Sequence, residues 1–221
     1  MRNVGIASVL LIATLAPGAA RAAVPGALTI PDGCGDASTA VVRVLDQHVD
    51  ADPLGRGGVF DIDQATIANA SGGGLDVTLR ACAPIPAPDA FGGAWQVSAS
   101  IPGDCGVSVY TANQSASLPT RVAYLETDCT VVKNGPAGWY SETSTRSNQT
   151  LPASAWSING STITWHLTRT MLNVAQARGV WSEPWAHTWD GSRGTQMGDD
   201  TFFINGPGVD DEATGTGTIT P

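Results

Sequence analysis

Three short segments of this chain alternate apolar and polar residues without a break, and that period excludes most folds. In "GLDVTLRAC", Leu75, Val77, Leu79 and Ala81 fall on one side, and Asp76, Thr78 and Arg80 on the other. "AWQVSASIPG" repeats the pattern with Trp95, Val97, Ala99 and Ile101. "STITWHLTR" sets Ile163, Trp165 and Leu167 against Thr162, Thr164, His166 and Thr168. Successive side chains of a strand point to opposite faces, so this period over short segments means strands with one face buried. Gly, Pro, Ser and Thr punctuate the chain between such segments and leave no long helical period. "SGGG" at 71–74 reads as the turn of a hairpin between "DIDQATIAN" and "GLDVTLRAC".

Further strands are expected at 41–46, 107–112 and 121–128. At most one short helix is expected, in "RTMLNVAQARG" (169–179), where Met171, Leu172 and Ala175 recur at helical spacing. The proline-rich "APIPAPDAFGG" (83–93) reads as a stiff extended connection. The sum is an all-β fold, an antiparallel β-sandwich of immunoglobulin-like or jelly-roll-like type.

Residues 1–22 carry an early positive charge at Arg2, an apolar run from Val4 to Ala16, and Ala20-Arg21-Ala22 after Pro17-Gly18. That order is expected of a bacterial secretory signal peptide, and the run is too short to span a bilayer. Residues 23–208 then form a single domain, and the polar, glycine-rich 209–221 reads as a flexible C-terminal tail. A secreted, extracellular protein with no membrane span after cleavage is the expectation. Four cysteines in an exported chain imply two disulfides among three pairings, and Cys34–Cys82 with Cys105–Cys129 is favoured. A metal site is the weaker reading of these cysteines, because no C-x-x-C pair or nearby histidine accompanies them.

Loss of Arg2 and Arg21 with the signal leaves nine basic residues against 20 acidic ones, a formal charge of −11. A polyanion would be repelled by such a surface, which argues against nucleic acid and anionic membrane as partners. Four N-x-[ST] sequences, at Asn69, Asn113, Asn148 and Asn159, are incidental in a bacterial setting.

"GVWSEPWAHTWD" (179–190) places Trp181, Trp185 and Trp189 at steps of four, with Glu183 and His187 between them. Pro184, Gly179 and Gly191 argue against a helix, so an extended edge segment is expected. One face of it then reads Trp181, Glu183, Trp185, His187, Trp189, with Trp185 and Trp189 about 13 Å apart at strand rise. Indoles with polar neighbours suit stacking on sugar rings or on apolar patches of a partner. Glu183, Trp185, His187 and Trp189 are the candidate ligand-binding residues. The competing reading makes the tryptophans plugs of the core, as the alternation already makes Trp95 and Trp165, and Trp181 is expected to be packed.

No catalytic constellation is visible. His48, His166 and His187 form no close pair, "GVSVY" at 106–110 lacks the second glycine of a nucleophile elbow, and nothing pairs Glu126, Glu142, Glu183 and Glu212 as glycosidase carboxylates. A non-enzyme is therefore expected. "DQHVDADPLGRGGVFDID" supplies Asp50, Asp52, Asp61 and Asp63, with Asp46 close by, as oxygen ligands for a calcium ion. The EF-hand pattern is absent, and an acidic solvated loop is the competing reading. No other cofactor is expected.

The order "VDADP…DIDQATI…GGGLDVTLRAC", "STITWHLTRTML", "WSEPWAHTWD" and "GVDDEA" resembles accessory β-sandwich domains of secreted bacterial and haloarchaeal proteins, of DOMON-like and carbohydrate-binding-like type. The resemblance implies a non-catalytic module, sometimes with calcium, often attached to a hydrolase. This chain departs from the pattern at "DPLGRGG", where Arg56 stands near the place of a second aspartate. Three functions are therefore expected in turn. The first is a secreted binding or adhesion module for polysaccharide or for another secreted or envelope protein. The second is a structural, cell-envelope-associated protein with no small ligand, and the third a hydrolase of unrecognised type.

Overall fold

The computed structural model describes residues 26–35, 38–39, 43–44, 47–48, 57–88, 93–115, 118–134, 140–189, 195–196, 203–204 and 209–221. Residues 1–22, expected as a signal peptide, lie outside them. The first strands are β1 (Ala27–Pro31), β2 (Ser38–Thr39), β3 (Arg43–Val44) and β4 (Gln47–His48), followed by a helical turn, α1 (Gly57–Phe60). The body is built from β5 (Ile62–Ala70), β6 (Gly74–Ala81), β7 (Ala94–Ile101), β8 (Cys105–Ser115), β9 (Leu118–Asn134) and β10 (Tyr140–Thr150). After a 3-10 turn at Ala153–Ala155 come β11 (Trp156–Asn159), β12 (Thr162–Leu167), α2 (Arg169–Val174) and β13 (Trp181–Trp189). The chain closes with β14 (Thr195–Gln196), β15 (Phe203–Ile204), β16 (Val209–Thr214) and β17 (Thr218–Ile219).

Among the described residues two antiparallel sheets dominate, as the alternation requires. The smaller has the order β1-β5-β6-β12-β11, and the larger β10-β9-β8-β7-β13-β16-β2, with β17 also on β13. Each alternating segment turns its predicted apolar set inward. Leu75, Val77, Leu79, Ile163, Trp165 and Leu167 of the small sheet meet Trp95, Val97, Ala99, Val107, Val109 and Leu125 of the large one in a single core. "SGGG" closes the β5–β6 hairpin, with Ala70 opposite Gly74. Residues 169–174 form the expected helix, capped by Thr168, whose side-chain oxygen accepts from the Met171 N–H. A second helical turn, α1, goes beyond the one helix expected. It holds Phe60 stacked on Trp95 at 5.3 Å between ring centroids, and Val59 O accepts from the Trp95 indole N–H at 3.0 Å.

The indole and hydroxyl groups of the core find partners. The Trp165 indole on β12 donates to Thr111 Oγ1 on β8 at 2.8 Å, a buried bond between the two sheets. The Trp181 indole donates to Ala177 O at 2.8 Å, and Thr127 Oγ1 to Ala175 O at 2.6 Å. Both favoured disulfides are present. Cys34–Cys82 ties the loop after β1 to the end of β6, and Cys105–Cys129 joins directly opposed residues of β8 and β9.

The expected flexible tail at 209–221 is corrected by the structure. Asp210 to Thr214 pair with Trp189 to Trp185, and Thr218 and Ile219 continue along β13 to Ser182 and Trp181. The glycines of this segment answer to packing. A Cβ at Gly215 would lie 2.9 Å from Ile30 and 3.1 Å from Thr29 O, and one at Gly217, where φ is +110°, would lie 2.8 Å from Leu28. The expected edge position of residues 181–189 is corrected with it, since β13 lies between β7 and the β16–β17 segment. No helix among the described residues is long and apolar enough to cross a membrane.

Two outcomes test this architecture. Replacing the Cys34–Cys82 pair by serines should lower stability in urea by about 3–4 kcal/mol, the loop-closure value for a disulfide of this span. Thr111→Val should cost about 1–3 kcal/mol by leaving the Trp165 N–H without an acceptor. Adding Trp165→Phe to Thr111→Val should cost less than the two single changes summed, as a double-mutant cycle would record.

Candidate functional site

Strand β13 carries the residues singled out above, and it does not present them on one face. Its pairing with β7 shifts register between Ser182 and Trp185, and Glu183 at that shift has φ +48°. A bulge inserts one residue and so inverts the parity of the residues beyond it. Trp181 therefore points into the core and is fully buried, whereas past the bulge Pro184, Ala186 and Thr188 are the buried set. Trp185 and His187 emerge half-buried on the outer face, their rings 5.9 Å apart, and Glu183 is exposed. The expectation of a single face holding Trp181 together with Trp185 is thereby corrected. The Trp189 side chain lies outside the described residues.

Register fixes what surrounds Trp185 and His187. His187 is opposite Gln96, Gln96 opposite Tyr110, and Tyr110 opposite Tyr124, which makes one row across β13, β7, β8 and β9. Trp185 heads the adjacent row, followed by Ser98, Ser108, Glu126 and Asn148 on β10. At a strand spacing of about 4.8 Å, the row from His187 to Tyr124 spans about 14 Å.

These side chains are bound to one another. Gln96 Nε2 donates to Ser98 Oγ at 2.7 Å and to Ser108 Oγ at 3.0 Å, and the two hydroxyls lie 2.8 Å apart. Tyr110 and Tyr124 stack at 5.1 Å. Asn148 Nδ2 donates to Glu126 Oε2 at 3.1 Å and reaches the Tyr110 hydroxyl at 3.4 Å, and Arg146 pairs with Glu126 at 2.5 Å. Burial pushes the Tyr110 phenol above its ordinary pKa against the lowering hydrogen bond from Asn148, and the nearby Glu126 charge acts in the same direction as burial. The hydrogen bond to Glu126 raises the Arg146 guanidinium. The result is a sheet face of fixed hydroxyls and amides bearing partly exposed aromatic rings.

One step along the strands from Trp185, the face opens into a hollow of about 640 Å³ between the β7–β8 turn and the bulge. Asp104, Glu183, Ser100, Ser182 and Thr218 supply its polar lining, and the Ser100 hydroxyl donates to Glu183 Oε2 at 3.3 Å.

A second hollow, of about 510 Å³, lies on the small sheet beside the β5–β6 turn. There His166 Nδ1 and Asp76 Oδ1 are 2.8 Å apart across β12 and β6, both about half exposed. The sequence places both residues outward without linking them, because only the β6–β12 register makes them neighbours.

Two of the calcium candidates, Asp61 and Asp63, are among the described residues, and each has a partner. Asp61 is buried and its Oδ2 accepts from Gly35 N at 2.7 Å, while Asp63 forms an ion pair with Arg80. Asp50 and Asp52 lie outside the described residues. Among the described residues, the one metal-sized group of such side chains is Cys34, Asp61 and Cys82, and its two sulfurs are joined in the disulfide. Sequence reading misses Gln96, Tyr110, Tyr124, Glu126 and Asn148 as neighbours of Trp185. Their outward parity is the available signal, but the strand order that assembles them is not written locally.

The opposite fates of the tryptophans are measurable. Trp181→Ala should destabilise the fold by about 3–5 kcal/mol, as core indoles do. Trp185→Ala should cost about 1 kcal/mol or less and remove an iodide-quenchable component of the fluorescence. Comparison with protein-family profiles, with curated proteins and with solved structures finds no match to this chain.

Proposed function

We propose that this protein is a secreted, non-catalytic binding module that receives a glycan on the outer face of its large sheet, around Trp185. The observation that carries the reading is the partly exposed Trp185 ring set beside the Gln96 amide and the Ser108 hydroxyl, which are held in place by the buried Ser98 hydroxyl. A sugar ring offers an apolar face to stack on an indole and a rim of hydroxyls that both donate and accept. A sheet face with its side chains already hydrogen-bonded loses little conformational entropy when it meets such a ligand. Two disulfides fit an oxidising, extracellular compartment, where polysaccharides are found. The resemblance to carbohydrate-binding-like sandwich domains points the same way.

The test is depletion of the protein from solution by insoluble polysaccharides, with β-linked glucose, xylose and amino-sugar polymers as probes. The expected result is retention on at least one polymer, with Trp185→Ala weakening it about tenfold or more, as truncation of an aromatic anchor does. Retention on none of them, or retention unchanged in Trp185→Ala, would sink the reading.

A further inference from the structure

We infer that the glycan taken by this face carries free amino groups, and that the hollow between Asp104 and Glu183 receives one of its ammonium groups. The inference rests on the binding-face reading above and names the ligand class for that same site.

Position comes first. Trp185 pairs with Ser98, and Ser182 with Ser100, so the hollow begins one outward residue along β7 from the Trp185 row, about 7 Å away at strand rise. A chain of sugar rings stacked on Trp185 and running along the strands would enter it.

Charge comes second. The lining of the hollow contains two carboxylates and no arginine, lysine or histidine. Among the described residues neither Asp104 nor Glu183 forms an ion pair, and Glu183 is met by the Ser100 hydroxyl alone. Elsewhere on the face the charge of Glu126 is compensated by Arg146. Glu212, opposite His187, and Asp128, which accepts from Ser144, also present exposed carboxylates on this face, and the hollow is lined by two more. The whole chain carries a formal charge of −9, a field that repels uronic-acid and sulfated polymers and attracts polycations.

The third element is the combination of groups. An indole, a row of hydroxyl and amide groups, and two carboxylates flanked by Ser182 and Thr218 match a ligand with a stacking ring, hydroxyls and an ammonium group. Amino sugars with unacetylated nitrogen carry all three. A basic peptide answers the carboxylates but brings no matching rim of hydroxyls, so the amino-sugar polymer is favoured.

Titration calorimetry on the intact protein would use soluble oligomers of β-linked glucosamine, of N-acetylglucosamine and of glucose. A mildly acidic buffer keeps the glucosamine amines charged. The glucosamine oligomer should bind on the order of tenfold more tightly than the two neutral ones, the scale set by two exposed ion pairs. Asp104→Asn combined with Glu183→Gln should erase that preference, bringing the affinity for the glucosamine oligomer down to that for the neutral ones. Equal affinity for all three oligomers, unaltered by the double substitution, would overturn the inference while leaving the binding face in place. Competition by oligolysine at equal charge as strong as that by the glucosamine oligomer would also overturn it, in favour of a basic peptide. Failure of every oligosaccharide to bind would bring down the face reading, and the inference with it.

Discussion

The extra residue at Glu183 decides which side of the large sheet each later side chain of β13 occupies, and β13 lies inside that sheet. In a regular strand residues 181, 185 and 187 share a face, so either three large rings would crowd the core or all would lie outside. The bulge lets Trp181 enter the interior while Trp185 and His187 leave it. A non-glycine residue with left-handed φ costs of order 1–3 kcal/mol. Burying an indole of roughly 150–250 Å² at about 25 cal/mol per Å² contributes about 4–6 kcal/mol. The second figure wins. Pro184 comes directly after the bulge, and its missing N–H suits a place where the ladder is already broken.

A core with indole, hydroxyl and carbonyl partnerships is also a core with a specified register. Trp165 can reach Thr111 only if β12 and β8 face each other at one offset, and Thr127 can reach Ala175 only if the segment after α2 packs against β9. Any slip would leave several buried polar groups without partners, each costing about 1–3 kcal/mol. Apolar packing supplies most of the stabilisation, but it tolerates alternatives that these bonds do not. Thr188 adds the same constraint at the other end of the core, where its hydroxyl donates to Phe60 O and holds α1 against β13.

Much of this is legible in the sequence. Alternation at 75–81, 95–101 and 163–167 yields the core residues, the all-β class and the β5–β6 hairpin, because period two is a local property. The cysteine pairing favoured on chain spacing is the pairing present. The missed features depend on neighbours distant in sequence. The glycines at 215 and 217 look like a tail until β1 is seen occupying the space their side chains would need. Asp76 with His166, and Trp185 with Ser98, become partners only through strand order. The bulge leaves a sign in "SEP", but a proline within a strand signals either an edge or an irregularity, and the sequence alone favours the edge.

The pairing of β16 with β2 sets Asp210 opposite Ser38, which joins residues from opposite regions of the chain in the same sheet as β13. Such a contact forms only after a very large loop has closed, and topologies dominated by such contacts fold slowly. The Cys34–Cys82 bond sits a few residues before β2 and fastens that region to β6. Oxidation at this one pair would therefore shorten the search that brings β2 to β16. Folding of this sandwich is thus coupled to the chemistry of its compartment: in a reducing environment the chain would linger with the edge of β16 uncovered, and an uncovered strand is open to pairing with other chains.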